Sequence, residues 1–392
     1  MNGWLVLGQA GIRFEHKFPK LMGKDFGVLT NSGSSSNLIM MSALASRRGA
    51  NLAKGTRVIT PIAGFPTTIN PIFQLGFEPA FVDIDLDTLN LNLDQVEERA
   101  KEGCKVLTFA HVLGNPPNMD RLMEIVDEYG LILLEDCCDA LGSTYRDRPL
   151  GSFGDFASCS FYPAHHITMG EGGFVACNTK NQEIVARSFR EWGRGCYCVG
   201  KKANLLKNGT CKTRFSNWLP ALPDEIFDHK YVYDEIGYNL KPTDLQAAMG
   251  LVQLDRLPEI IEKRKHNHKR LCEIFSKHDE FFVIPEKTEN SDPSWFAFAL
   301  TIKDNGPFKR KDITNYLEDN KIQTRPYFAG NIMLQPAYEG LMDQNEVIEN
   351  YPNARKITTD TFFLGTSPVI TDEQLDYIEN VVDKFFSVKI YE

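Results

Sequence analysis

The chain has 392 residues, 42% of them hydrophobic and 24% charged, with a net charge of −9. That composition suits a globular enzyme of two domains with a large core, and the acidic balance argues against general binding to nucleic acid or to an anionic membrane. No apolar run of membrane-spanning length occurs, and MNGWLVLGQAGIRFEHKF lacks the features of a secretory leader, so a cytoplasmic location is expected.

The first periodic stretch is VLTNSGSSSNLIMMSALASRR: a short strand, a Gly/Ser turn, and an amphipathic helix expected to begin near Ser36. The amides and hydroxyls at such a helix start suit a phosphate, although the same GSSSN also reads as a simple N-cap. RVITPIAGFPTTINPIFQLGFEPAFVDID then gives strand, loop, helix and strand, the alternation of a parallel sheet with crossover helices. Phe65 falls in the loop after the first of these strands, either as core packing or as a ring that stacks on a ligand. Residues 94–102 read as a surface helix. KVLTFAHVLGNPPNMDRLMEIVDEYGLILLEDCCDALG adds another strand–helix–strand unit. Asp136 ends its second strand, where an open α/β sheet places a ligand group, or else it caps the next helix. FASCSF and GGFVACN have strand length and composition, and they flank a turn carrying His165 and His166. Seven short strands are thus expected before residue 180, with no internal repeat.

In this last stretch Ser160, Phe161, Pro163, Gly170, Glu171, Gly172 and Gly173 match the pattern S-F-x-P-x-K-x-x-x-x-G-E-G-G. It resembles the cofactor-lysine segment of the DegT/DnrJ/EryC1/StrS family of sugar aminotransferases. In that register His165 stands where the lysine would be. An imidazole lacks the primary amine that makes lysine a carbonyl nucleophile, but it is suited to general-base work near neutral pH. The exchange is similar to that of the family's 3-dehydrases acting on CDP-4-keto-6-deoxyglucose, which hold pyridoxamine phosphate (PMP) without a covalent bond.

The resemblance implies a fold-type I, aspartate aminotransferase-like α/β fold. It would have a seven-stranded, mostly parallel sheet in a cofactor domain over residues 1–255 and a smaller α+β domain over 256–392 that includes a linking helix. Residue by residue it implies Gly33, Ser34 and Ser35 on the cofactor phosphate, Phe65 on the pyridine ring and Asp136 on the ring nitrogen. Asp139, where the aminotransferases usually have Gln, and Ser160 join the cofactor site. Asn239, in GYNLKPTDLQAAMG, would reach a neighbour's cofactor across a homodimer interface. Gly3-Trp4-Leu5…Gly8 resembles the family's D-G-W-L-x-x-G segment, which normally follows an N-terminal arm; that arm and its contacts to a second subunit are expected to be absent. TRPYFAGNIMLQPAY, with Arg325 and Tyr327, is similar to a substrate-facing segment of the dehydrase branch.

Nine cysteines in a chain too long to need disulfide staples are mostly expected to be buried small hydrophobes, as for Cys104, Cys159, Cys177 and Cys272. Cys196 and Cys198 alone are an uninformative C-x-C pair, with Cys211 beyond them. The 3-dehydrases resemble one another in a C-x57-C-x-C-x7-C pattern for a 2Fe–2S centre. Here 57 residues separate Cys138 from Cys196, which selects Cys138 over Cys137, but twelve separate Cys198 from Cys211. Doubling a loop costs only about 0.6 kcal/mol in closure entropy, so Cys211 is kept as the fourth ligand. Lys201, Lys202, Lys207, Lys212 and Arg214 make this region basic.

The resemblance therefore implies a PMP- and 2Fe–2S-dependent enzyme that removes the 3-hydroxyl of a nucleotide-linked, CDP-type 4-keto-6-deoxyhexose for 3,6-dideoxysugar and lipopolysaccharide synthesis. Electrons would come from an NAD(P)H-dependent iron–sulfur flavin reductase. Two rivals stay open: a cluster-free dehydratase or aminotransferase-like enzyme recycling its cofactor with glutamate, and a non-catalytic regulator responsive to nucleotide sugars.

Overall fold

The computed structural model describes residues 5–196, 214–304 and 306–389. Its centre is a seven-stranded sheet of β1 (Phe26–Thr30), β2 (Arg57–Pro61), β3 (Glu78–Val82), β4 (Val106–Ala110), β5 (Ile132–Asp136), β6 (Phe156–Ser160) and β7 (Gly173–Cys177), as expected from the sequence. The spatial order is β1-β7-β6-β5-β4-β2-β3, and β7 alone runs against the others. β6 and β7 are buried at every position, which is why both read as continuous apolar runs without alternation.

Helices α2 (Gly33–Ala45), α3 (Pro66–Gln74), α4 (Leu93–Lys101), α5 (Met119–Tyr129) and α6 (Lys180–Arg190) connect and cover these strands, behind a first helix α1 (Gln9–Lys17). Two details depart from expectation. α2 begins at Gly33, three residues early, because the Ser32 hydroxyl accepts the Ser35 N–H and the Ser32 carbonyl accepts the Ser36 N–H. It is also buried over most of its circumference, including Ser36, Asn37 and Ser42, so it is a core helix with no broad polar face.

α7 (Asp244–Phe275) is 32 residues long, about 48 Å at 1.5 Å per residue. Thr243 and Gln246 form a capping box at its start, and the Asp244 carboxylate accepts the N–H groups of Gly8, Ala10 and Gly11, capping α1 as well. The position between residues 255 and 256 lies inside this unbroken helix. Its Leu257 and Ile260 pack with the core of the large sheet, while Leu271, Ile274 and Phe275 pack with that of a second sheet. The second sheet is antiparallel, in the order β8 (Phe282–Val283), β9 (Ala297–Ile302), β11 (Thr361–Gly365), β10 (Arg325–Pro326). Helices α8 (Arg310–Asp319), α9 (Gln344–Asn350), α10 (Pro352–Asp360) and α11 (Asp372–Lys389) complete this part.

The two parts are sewn together close to the carboxyl ends of the large sheet's strands. Gly64 N–H donates to the Gly330 carbonyl and Ala329 N–H to the Gly64 carbonyl (3.1 Å each), and Ile332 N–H donates to Ile62 (2.9 Å). Ile62, Ala63, Ile69, Tyr327 and Ile332 bury a shared apolar cluster beneath that ladder. Among the described residues no helix is long and apolar enough to cross a membrane.

Candidate active site

A cavity of about 250 Å³ opens at the carboxyl ends of the strands, where open α/β sheets bind ligands. The strand ends supply Pro61, Ala110, Asp136 and Ser160; the start of α2 supplies Gly33 and Ser34. Cys138, Asp139 and His165 come from the loops after β5 and β6, and Phe296, Tyr327 and Phe328 close the far side.

Asp136 is 4% exposed and is held by four donors. Asn37 Nδ2 and Thr68 Oγ1 each donate to Oδ2 at 2.7 Å; the Cys138 N–H (3.1 Å) and the Ser158 hydroxyl (3.2 Å) donate to Oδ1. Four donors fix its direction. Asn37, Thr68 and Ser158 were not singled out by sequence: their role exists only through contacts far along the chain.

At the start of α2 the Ser32 hydroxyl and carbonyl are occupied by Ser35 and Ser36, which leaves the Gly33 and Ser34 amides as orphan donors beside the cavity. Gly33 is there for space. A Cβ on it would lie 2.6 Å from Ser160 Cβ and 2.9 Å from Cys138 Sγ, filling the cradle. Gly33→Val is therefore expected to weaken binding of pyridoxal or pyridoxamine phosphate by about tenfold or more, read by absorbance titration, with the protein still folded. Unchanged affinity would place the phosphate elsewhere. Ser35, expected on the phosphate, is not among the cavity residues. Its hydroxyl donates to Asn31 Oδ1 (2.6 Å) and accepts from Ser32 Oγ (2.9 Å), because the third helical position turns back toward the cap.

Phe65 is 51% exposed and meets Phe328 edge to face at 5.9 Å, so it belongs to the cavity wall and not to the core. His165 packs against Phe296, ring centroids 5.2 Å apart. Its Nδ1 lies 3.4 Å from Asp139 Oδ1, close but not aligned for a hydrogen bond. Burial pushes His165 down to about 4, assisted by the Arg264 charge and opposed by Asp136. At neutral pH it is a free base. Asp139 is pushed up to about 8 by burial and by Asp136, with Arg264 opposing. His166 points away, its Nε2 on the Ser294 carbonyl at 2.7 Å, and serves the fold.

These shifts have opposite consequences for the cofactor-free protein. An unfolded histidine takes up a proton near pH 6.5, so His165 contributes stability that is present above that pH and lost as pH falls through about 4. Asp139 contributes stability that is complete below pH ~3.9 and lost as pH rises through about 8. Asp139→Asn is accordingly expected to raise the Tm at pH 8 and to leave it nearly unchanged near pH 4. An equal gain at both pH values in calorimetry would assign the effect to packing.

Asn239 is exposed, holds Lys241 Nζ on its Oδ1 (2.7 Å) and does not line this chain's own cavity. Arg325 is likewise exposed and off the cavity. Cys138 Sγ opens on the cavity floor, 3.9 Å from the Ser158 hydroxyl, and burial pushes its thiol well up. Cys196 is half-buried at the end of a described stretch; Cys198 and Cys211 lie outside the described residues. Of the cysteines expected to be buried, Cys104, Cys159 and Cys177 are; Cys272 is only half-buried. Among the described residues the group close enough to grip a metal ion is His111, Glu135 and Cys137. Glu135 there already accepts from His111 and from the Gly151, Phe153 and Gly154 amides, which makes it a structural carboxylate.

Comparison with known proteins fits this arrangement. The chain is 43% identical over 390 residues to the lipopolysaccharide biosynthesis protein RfbH of Salmonella typhimurium, covering 99% of this chain and 87% of that one. It is also 43% identical over 383 residues to a dTDP-4-dehydro-2,6-dideoxy-D-glucose 3-dehydratase of Saccharopolyspora spinosa, covering 97% and 81%. The solved E. coli GDP-4-keto-6-deoxy-D-mannose-3-dehydratase with bound hydrated PLP superposes with a TM-score of 0.80 at 27% identity, covering 96% and 92%. The family model for DegT/DnrJ/EryC1/StrS aminotransferases matches residues 1–383, and the chain belongs to that family.

Proposed function

We propose that this chain is a PMP-dependent dehydrase that removes the 3-hydroxyl of a CDP-linked 4-keto-6-deoxyhexose in 3,6-dideoxysugar and lipopolysaccharide synthesis. The observation that carries this reading is the cavity's lining: it holds the imidazole of His165 and, among the described residues, no lysine. A covalent lysine–cofactor bond has no donor there, whereas a free-base imidazole suited to moving one proton does stand there. Two relatives, a 3-dehydratase of a dTDP-sugar and one of a GDP-sugar, support deoxygenation at carbon 3.

The residues fit a pyridoxamine phosphate. Gly33 and Ser34 would take the phosphate on orphan amides at the positive end of α2. Asp136 in its four-donor cradle would face the ring nitrogen, Phe65 would cover the ring, and Asp139 and Ser160 would line its edge. The bound cofactor would supply a primary amine for the keto carbon and an electron-accepting ring. His165 removes and returns the proton, and Phe296, Tyr327 and Phe328 exclude water.

The reading includes a 2Fe–2S cluster on Cys138, Cys196, Cys198 and Cys211 that would supply single electrons from a flavin reductase; its support is the spacing of the first three cysteines. It also includes a homodimer in a cytoplasmic setting. Asn239 stands outside its own cavity, and Leu245, Met249 and Val252 form an exposed apolar stripe at the start of α7.

The deciding experiment is electron paramagnetic resonance on anaerobically reconstituted, dithionite-reduced protein and its Cys211→Ser variant, followed by turnover of CDP-, dTDP- and GDP-linked 4-keto-6-deoxyhexoses. A 2Fe–2S signal altered in the variant, with CDP-sugar consumed fastest, is expected. Iron-free protein that turns over with glutamate would replace this reading with the cluster-free dehydratase.

A further inference from the structure

One buried charge has no part in the chemistry above. Arg264, on α7, is 2% exposed, and among the described residues no carboxylate lies within ion-pair distance of it. Its hydrogen bonds go to neutral acceptors in both parts of the molecule. Nη2 donates to the carbonyls of Ala164 (3.0 Å) and His165 (3.1 Å), in the turn that carries the imidazole. Nη1 donates to the carbonyl of Phe296 (3.0 Å), with longer contacts to the Trp295 carbonyl (3.5 Å) and the Thr366 hydroxyl (3.4 Å). The Thr366 hydroxyl donates to the same two carbonyls, at 2.7 and 2.9 Å. The Phe296 ring is the one His165 packs against, and the guanidinium lies 5.8 Å from its centroid.

A buried cation without a carboxylate partner is costly, and here Nε is left without a partner as well. Apolar packing would stabilise this position more cheaply. What a planar fork alone can do is grip two pairs of acceptors at once in fixed geometry. One pair belongs to the turn that holds His165, the other to the wall against which its ring lies.

We propose that Arg264 is the positioning residue of this site, locking the Ala164–His165 turn to the small-domain wall at Trp295–Phe296 so that imidazole and wall move as one body. This rests on the reading of His165 as the base. It also places a positive charge beside the imidazole. The groups facing His165 are Asp139 at 3.4 Å, Asp136 from β5, Arg264 from α7 and its neighbour His166. Of these Arg264 opposes protonation, Asp136 favours it, His166 is kept neutral by burial, and Asp139 holds its own proton up to about 8.

The test compares Arg264→Gln and Arg264→Lys with His165→Asn. It uses ¹⁵N-histidine NMR on cofactor-free protein, with His165→Asn assigning the resonance, and pH profiles of the loaded enzyme. In Arg264→Gln, kcat is expected to fall roughly 10–100-fold with the sugar's KM nearly unchanged, the scale of a misplaced reacting group. The His165 titration midpoint should rise in the same variant, together with the acid limb of the profile. Arg264→Lys should restore the low midpoint but only part of kcat, because a point charge cannot bridge both pairs of carbonyls. A folded Arg264→Gln protein with unchanged kcat and midpoint overturns the proposal. Should the Gln variant not fold, full activity in Arg264→Lys overturns it, and reduced kcat with the low midpoint kept supports it. Persistent activity of His165→Asn would instead remove the base assignment, while the midpoint shift would still judge Arg264.

Discussion

Replacing His165 by asparagine is expected to lower turnover at least ~10³-fold while leaving PMP affinity within a few-fold of the parent. General acid–base catalysis by a placed side chain contributes typically 10²–10⁴-fold, and no second imidazole can substitute. His166, the adjacent ring, is 3% exposed and spends its Nε2 on the Ser294 carbonyl. Asparagine keeps a polar side chain against Phe296 but cannot accept a proton. The His165 side chain is also not among the four donors that fix Asp136, nor part of the α2 start, so the cofactor-binding groups should survive intact. Affinity is checked by equilibrium titration of the variant with PMP, and turnover by loss of the keto sugar. Turnover close to the parent's would leave the imidazole without a chemical role and move the base assignment to another group. Loss of both turnover and affinity would mean that His165 supports the cradle itself. The parent's activity should hold across neutral pH and decline only toward pH 4, since the imidazole is a free base above that value.

How much the sequence discloses depends on how local each signal is. The seven strands are short apolar runs bounded by turn residues, so their existence could be read without tertiary contacts. His165 and Cys138 were legible because a register or a count places them. The serines of GSSSN were not separable in that way: three adjacent hydroxyls look equivalent until helical geometry sends Ser34 to the cavity and Ser35 back to Asn31. Asn37 and Thr68 meet Asp136 across 99 and 68 residues, and nothing near them in sequence marks the meeting. Arg264 was hidden more deeply. It lies in EKRKHNHKR, where neighbouring Lys263, Lys265 and Lys269 sit on the outside and make the run look like a solvated helix face. Only the packing of α7 between two sheets turns Arg264 inward, together with Asn267 and His268 of the same run.

Asp136→Asn should have the other large effect, and of a different kind. The carboxylate faces four donors: Asn37 Nδ2, Thr68 Oγ1, the Cys138 N–H and Ser158 Oγ. An asparagine amide can satisfy only the donors on one side. On the other, its NH₂ must meet either the Asn37 amide with the Thr68 hydroxyl or the Cys138 amide with the Ser158 hydroxyl. The hydroxyls can turn, but Asn37 Nδ2 or the Cys138 N–H is then left facing a donor. A buried donor without a partner costs about 1–3 kcal/mol, and charge-assisted bonds are worth about 1.5–3 kcal/mol. The variant should therefore lose a few degrees of Tm even without cofactor and bind PMP about 10–100-fold more weakly. Turnover should fall further than affinity, since a neutral amide cannot hold a proton on the ring nitrogen. A double variant with Asn37→Leu gives a clean check. If the cradle acts through Asp136, removing Asn37 should cost much less in the Asp136→Asn background than in the parent, a coupling visible in both Tm and PMP affinity. Additive losses would show that Asn37 and Asp136 act independently.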